Sequence, residues 1–484
     1  MFTTLIWKEL LDHLLSLRFT ITCVLCFFVM LVSFFVRSAD YGQVREDFHK
    51  DAAADKVQLD EARGPWDVIW DPIHMRRVPN VLKVFVRGVS DYNGSAARMR
   101  ENMPIQPLLP GWRSSITQLF PSIDLVAFVG LIMSLMAILF GYDVICGEKE
   151  QGTLRLMLSY SVPRDRILMV KWLGGFTALI IPYCFSAIAM VAIVMVQRSI
   201  ALTDDDWVRL ICIFALSVLY LAVIYSMALW ISCVTSRSAT SIMLLVTAWV
   251  VLFLGVPNLA PHIARWLQPT RNTQQMEHER YEASDEIWTR VVETPSKAYD
   301  KEHGFEGKWW KKINWGKWEE RKKADVRRQI KFGTQCEAYT QQLRLYDKLA
   351  DQANADLDTQ IAASRALARL SPFGCFSMAA AELAGEGPGL QRDFLRQARD
   401  YHTTLLMYGC NEYQWNLRYR VENEGKRPPR WPASIQNPMP RFAYQAPLLG
   451  SQFRAVWLDV GILAGLVVLF FLLSFMSFLR YDVR

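Results

Sequence analysis

Charge is scarce in this chain, and the places where it is missing are informative. Only 21% of the 484 residues are charged, against 52% hydrophobic. The apolar residues gather in blocks and the charges fall between them, which excludes a soluble protein of two or three ordinary domains. The nine cysteines show no disulfide or zinc spacing. Cys23, Cys26, Cys184, Cys212 and Cys233 lie within or beside apolar blocks, where Cys acts as a small hydrophobe. Histidine is sparse as well: His262, His278, His303 and His402 are scattered, and no His/Asp/Glu set near them has metal or catalytic spacing. No apolar block pairs a nucleophile with a base, which argues against a membrane-embedded hydrolase.

What the sequence does have is six blocks of bilayer length. They are Phe19–Val36, Ile123–Tyr142, Trp172–Val196, Val208–Ile231, Ile242–Leu259 and Val456–Leu479. About 20 apolar residues in helical form cross a hydrocarbon core, and these runs lack the alternation of barrel strands. The fold class expected is an all-α membrane protein with six transmembrane helices. Pro182 is expected to kink the third. The first block is too long for a signal-peptide core, and Glu9 and Asp12 precede it, so it reads as an uncleaved anchor. Asp124, Asp143 and Asp459 sit at block edges. Charges inside spans mark ion paths, so their absence disfavours an ion-coupled carrier.

Loop charge sets the orientation. Lys149, Arg155, Arg164, Arg166 and Lys171 crowd the connection of spans two and three, whereas Asp204, Asp205 and Asp206 dominate the next. Arg237, Arg480 and Arg484 fall on the basic side. Both termini are therefore expected in the cytoplasm, and residues 37–121 and 260–453 outside. Most of the +7 net charge falls in the second of these segments, which is compatible because long segments translocate largely regardless of charge.

Residues Met1–Arg18 carry Ile6, Leu10, Leu14 and Leu17 at helical spacing opposite Lys8, Glu9, Asp12 and Ser16. That pattern predicts an interfacial helix with Trp7 at headgroup depth; the alternative is a plain extension of span one. Between spans two and three, residues 143–171 read as a cytoplasmic loop containing a short helix. Leu154, Met157 and Leu158 form its apolar face, and Gly152 and Pro163 bound it. Physics alone gives only a structured loop there.

The run Glu148-Lys149-Glu150-Gln151-Gly152-Thr153-Leu154, followed by Leu158, Ser159, Val162, Pro163, Arg164 and Lys171, resembles the signature of type-2 ABC-transporter permeases. Trp7-Lys8-Glu9-Leu10 is similar to the family's amphipathic start. The nearest in style are the permeases of nitrous-oxide-reductase maturation and of gliding motility. In Ser161-Val162-Pro163-Arg164 the proline is displaced from the family's pattern. The resemblance implies the type-2 exporter fold and a bacterial inner-membrane location. It also implies a coupling helix that docks on a separate ATPase, with Glu148, Glu150, Gly152, Thr153 and Arg155 in that role. The chain has no G-x-x-x-x-G-K-[ST] run, so it is expected to bind no cofactor itself and to leave ATP to partner ATPase subunits.

The two polar segments are long. Arg37–Pro121 is expected to start helical, pass Gly64-Pro65-Trp66, form a strand over Val81–Val89 and return through a Pro-rich stretch. Residues 260–453 are expected to form a large, mainly helical extracytoplasmic domain. Its stripe Cys336, Tyr339, Leu343, Tyr346, Ala350, Ala353, Leu357 and Ile361 should pair with a helix near Gln274–Val292. Leu370-Ser371-Pro372-Phe373 and Ala384-Gly385 resemble the same segment of the gliding-type permeases. Phe305–Phe332 interleaves Trp309, Trp310, Trp315 and Trp318 with Lys and Arg. Outside the membrane that pattern is a packed hairpin, a lipid-touching belt or a docking face rather than a nucleic-acid site. Of Cys336, Cys375 and Cys410, one pair is expected to bridge.

Two functions remain open. One is a permease that pairs with itself or a sister permease and exports or repositions a hydrophobic or envelope-directed substrate. The other is a device that transmits motion to an extracytoplasmic protein without moving a substrate. Membrane lipid is a contact in both.

Overall fold

The computed structural model describes residues 2–61, 71–100, 103–108, 123–154, 163–197, 200–305, 307, 309–311, 313–426 and 439–480. Gly64-Pro65-Trp66, the Pro-rich return and Arg155–Val162 lie outside the described residues.

Helix α1 (Phe2–Leu14) stops at Leu15–Ser16, and α2 begins at Leu17 and runs to Asp60. The Ser16 side chain accepts from the Phe19 N–H, an N-cap that separates the two helices. The N-terminal segment is thus a helix in its own right. The first span continues without a break into the polar region, as a 44-residue helix.

The strand expected over Val81–Val89 does not form. The Asn80 side chain accepts from the Leu82 N–H and opens a 3-10 turn at Val81–Val84. Leu82, Val84, Phe85 and Val86 then all bury into the core formed by the spans. A strand would have turned alternate residues away from that core. The strands lie on either side instead: β1 (Ile73–Arg76), β2 (Ala96–Met99) and β3 (Gln106–Leu108) form an antiparallel sheet in sequence order, with Ile73 opposite Met99 and Ala96 opposite Leu108.

Span two passes through a π-helical stretch, Phe128–Met133, into α3 (Ser134–Gly141), then a turn and the short helix α4 (Cys146–Gln151). Span three is α5 (Arg164–Val196), with Pro182 inside the helix. Span four is α6 (Asp204–Val234), opened by a Thr203–Asp206 capping box. Span five comprises α7 (Ser238–Trp249), a π-helical stretch at Val250–Gly255, and α8 (Val256–Leu267). The polar domain holds α9 (Thr273–Trp288), α10 (Thr294–Glu302), the 51-residue α11 (Trp318–Ala368), α12 (Pro372–Leu383) and α13 (Gly389–Glu422). Span six is α14 (Leu449–Leu479). Among the described residues, six helices are long and apolar enough to cross a membrane, and the protein is an all-α membrane protein with a small accessory sheet.

The stripe on α11 is buried at Cys336, Tyr339 and Leu343, whereas Leu357 and Ile361 are exposed. Helix α9 packs on it through the Trp288–Tyr339 ring stack and a 2.9 Å hydrogen bond between Ser284 and Tyr346. Within the described part of Phe305–Phe332, the Arg327 guanidinium lies 4.6 Å from the Trp309 ring and pairs with Asp300. Trp310 and Trp315 stay exposed.

Helix α12 belongs to the spans rather than to the polar domain's own cores. Cys375, Phe376, Ala379, Ala380 and Leu383 share the cluster formed by spans one to six, and Phe376 stacks on Tyr220 at 4.8 Å. Sequence reading missed this because the Leu370-Ser371-Pro372-Phe373 run is short and sits inside a polar stretch. Its apolar side chains pack on a partner far upstream in the chain, Phe376 on Tyr220.

Cys336 and Cys410 form a disulfide between α11 and α13, with a sequence separation of 74; Cys375 is buried and free. Replacing both bridged cysteines by serine should destabilise the polar domain by about 2–4 kcal/mol, through the freed loop of the unfolded chain. Thermal unfolding of the double variant beside the native protein measures this, and unchanged midpoints would count against the bridge.

Candidate functional site

The Glu148–Leu154 part of the signature sits in an elbow at the end of the bundle where α1 lies. The turn after span two brings α4 back over the ends of the other spans. Ser232 Oγ accepts from the backbone N–H groups of Ile145 and Cys146, at 3.0 Å each. Lys149 Nζ donates to the carbonyls of Cys233 and Thr235, the latter at 3.0 Å. A cation on the last carbonyls of span four satisfies orphan acceptors and meets the negative end of the helix dipole. The Glu150 carboxylate accepts from the Ser238 N–H at 3.1 Å and so caps the first turn of span five. One short helix therefore closes two span ends with side chains of opposite sign.

Below it lies a charge triad. Lys171 Nζ, nearly buried, pairs with Glu148 at 2.5 Å and with Glu9 of α1 at 3.1 Å. The Lys171 backbone carbonyl accepts from the Tyr225 hydroxyl of span four at 3.2 Å. Gly174 lets α1 and α5 approach, since a Cβ there would sit 2.9 Å from the Glu9 side chain. His13 is next to this cluster, and burial lowers its imidazole pKa, against the raising pull of Glu9. Arg18, just inside span one, pairs with Asp143 at 2.8 Å.

Leu154 buries with Ile145 against Ile167, Leu168, Leu229, Cys233 and Phe478. Between them these contacts tie the elbow to α1 and to all six spans. Its outward edge is Glu150, Gln151, Gly152 and Thr153, all exposed. Gly152 ends α4 in the left-handed region, with φ +74°. A Cβ there would meet nothing within 4 Å, so the constraint is on the backbone, not on space.

Of the residues singled out from the sequence, Glu148, Glu150, Gly152 and Thr153 come together in this elbow, and Arg155 lies outside the described residues. Glu148 faces inward to Lys171, and Glu150 spends one oxygen on span five. Sequence reasoning missed the structural roles of Glu9, Lys171, Ser232 and Ser238. Glu9 and Lys171 stood within the runs that carried the resemblance, but nothing in one sequence joins residues 162 apart.

No group of three or more His, Cys, Asp or Glu side chains among the described residues could hold a metal ion.

A family model described as "ABC-2 family transporter protein" matches residues 3–483. A probable ABC transporter permease protein NosY from Pseudomonas aeruginosa is 37% identical over 75 residues, 15% of this chain and 27% of that protein. A second protein of that description, from Stutzerimonas stutzeri, is 43% identical over 51 residues, 10% of this chain and 18% of that one. Each match thus spans under a third of the relative's length.

Proposed function

The chain belongs to the ABC-2 transporter family, and on that premise we propose that it is a permease driven by a separate ATPase docking on the α4 elbow. It is a multi-pass membrane protein. The observation that carries the proposal is the elbow's construction: an exposed edge at Glu150–Thr153 on a helix bonded to the ends of spans three, four and five. A push on that edge reaches several spans at once. Further parts of the reading are an inner-membrane location, both termini in the cytoplasm, and assembly with a second copy or a sister permease. ATP is held by the partner, and the substrate is hydrophobic or envelope-directed. The Cys336–Cys410 disulfide supports an oxidising environment for the polar domain.

Gly152→Val tests the elbow. A β-branched residue at positive φ costs of order 1–3 kcal/mol, which shifts the local backbone while touching no span. Glu150→Lys reverses the charge at the exposed edge and removes the cap on span five. Membrane insertion should persist in both variants. Co-purification of the ATPase, or hydrolysis coupled to activity in lipid, should fall, and more steeply for Glu150→Lys. Normal association together with normal coupling in both would refute the docking site.

A second reading, transmission of motion to an extracytoplasmic protein partner, is favoured by one observation. Asp459 of span six is fully buried and pairs with Arg365 of α11 and with Arg369, the C-cap of that helix, at 2.6 Å each. Movement of span six would be handed directly to a 51-residue helix of the polar domain.

A further inference from the structure

Above the Asp459 pair, a cavity of about 470 Å³ opens between α11, α12, the α12–α13 turn and the first turns of α14. Its volume falls in the range of small-molecule sites. The wall carries three carboxylates, Asp358, Glu382 and Asp393, and two guanidiniums, Arg365 and Arg392. Arg392 pairs with Asp358, Arg365 with Glu382 and Asp459, and Asp393 lies 3.6 Å from Arg396. Gln452 is more than nine-tenths buried in that wall, and its Oε1 has no hydrogen-bond partner among the described residues. Arg365 Nε is unpartnered as well. A buried acceptor and a buried donor without partners each cost free energy. The cavity sits where span six leaves the polar domain, beside the exposed Leu448 and Trp457, side chains typical of a bilayer boundary.

We propose that this cavity binds a lipid headgroup carrying both an ammonium and a phosphate, as in phosphatidylethanolamine. A plain anion would meet three carboxylates, and a plain cation two guanidiniums. A zwitterion matches both: its N–H groups donate to Gln452 Oε1 and the carboxylates, and its phosphate accepts from Arg365 and Arg392. A trimethylated head cannot donate, so phosphatidylcholine is disfavoured. The Arg365 that would hold the phosphate also holds Asp459 of span six, so an occupied site would brace the joint between span and polar domain. The assignment is independent of any ATPase.

The full-length protein is tested by native mass spectrometry from mixed vesicles of phosphatidylethanolamine, phosphatidylcholine and phosphatidylglycerol. Phosphatidylethanolamine should be retained over each of the others by roughly tenfold, the worth of one or two buried hydrogen bonds. Gln452→Leu and, separately, Asp393→Asn should reduce that preference several-fold. Thermal unfolding in phosphatidylglycerol alone should stay unchanged for at least one of them, which shows that the variant folds. Equal retention of the three lipids, or a preference surviving in both variants, would overturn the proposal. Soluble phosphoethanolamine displacing nothing from the wild type supports the lipid as source. Its binding without any lipid preference would assign the cavity to a free solute and refute the lipid.

Discussion

Replacing Lys171 by methionine should destabilise the bundle by about 3–5 kcal/mol, the usual cost of removing one member of a buried ion pair. The side chain is only 7% exposed and holds two carboxylates, Glu9 at 3.1 Å and Glu148 at 2.5 Å. Methionine keeps the volume of the stem, so the loss is electrostatic rather than a cavity. The second oxygen of Glu148 is buried without a hydrogen-bond partner among the described residues, which leaves that carboxylate poorly placed to survive unpaired. The variant should melt several degrees lower in detergent, and α1 should become accessible to protease. Adding Glu9→Gln and Glu148→Gln should recover a large part of the loss, because neutral amides tolerate the site where paired anions do not. An unchanged midpoint in Lys171→Met would show that the triad holds nothing.

Asp459→Asn should have an effect of similar size at the other end of the protein. Two guanidiniums would then face a neutral amide at a fully buried position, with their charge uncompensated except by Glu382 beside Arg365. Span six should insert normally, since the change makes it less charged. The contact between α11 and α14 should loosen, and amide exchange in the C-terminal turns of α11 should rise. A triple change, Asp459→Leu with Arg365→Leu and Arg369→Leu, separates stability from transmission. Apolar packing should restore the melting temperature, while activity that depends on the polar domain stays low. Recovery of both would remove the ion pairs from the transmission route and leave packing as its basis.

The spans were legible in the sequence because bilayer thickness imposes a length and a hydrophobicity that few soluble helices share. The short helix expected between Gly152 and Pro163 falls largely outside the described residues, and the helix that the structure shows in this loop, Cys146–Gln151, ends at Gly152 instead of starting there. What single-sequence reasoning could not supply was pairing across distance. Asp459 looked like an edge residue, and only the fold brings Arg365 and Arg369 to it. Helix α12 looked like part of the polar domain until Phe376 was seen on Tyr220. Val81–Val89 looked like a strand because its apolar residues are dense, yet Leu82, Val84, Phe85 and Val86 all face one core through a tight turn. Glu148 and Glu150, grouped as docking residues, also bond the elbow to the bundle, Glu148 through Lys171 and Glu150 through the Ser238 N–H, while Glu150 stays exposed on the same edge as Gln151, Gly152 and Thr153.

That edge is where the account is most directly tested. A photo-crosslinking amino acid placed at Gln151, exposed and not itself a member of the triad, should capture the ATPase subunit in intact membranes, in a yield that changes with nucleotide. The same group at Trp310 in the polar domain should capture no ATPase. An ATPase that co-purifies with the chain yet never cross-links at Gln151, or that cross-links at Trp310 instead, would contradict docking at the elbow.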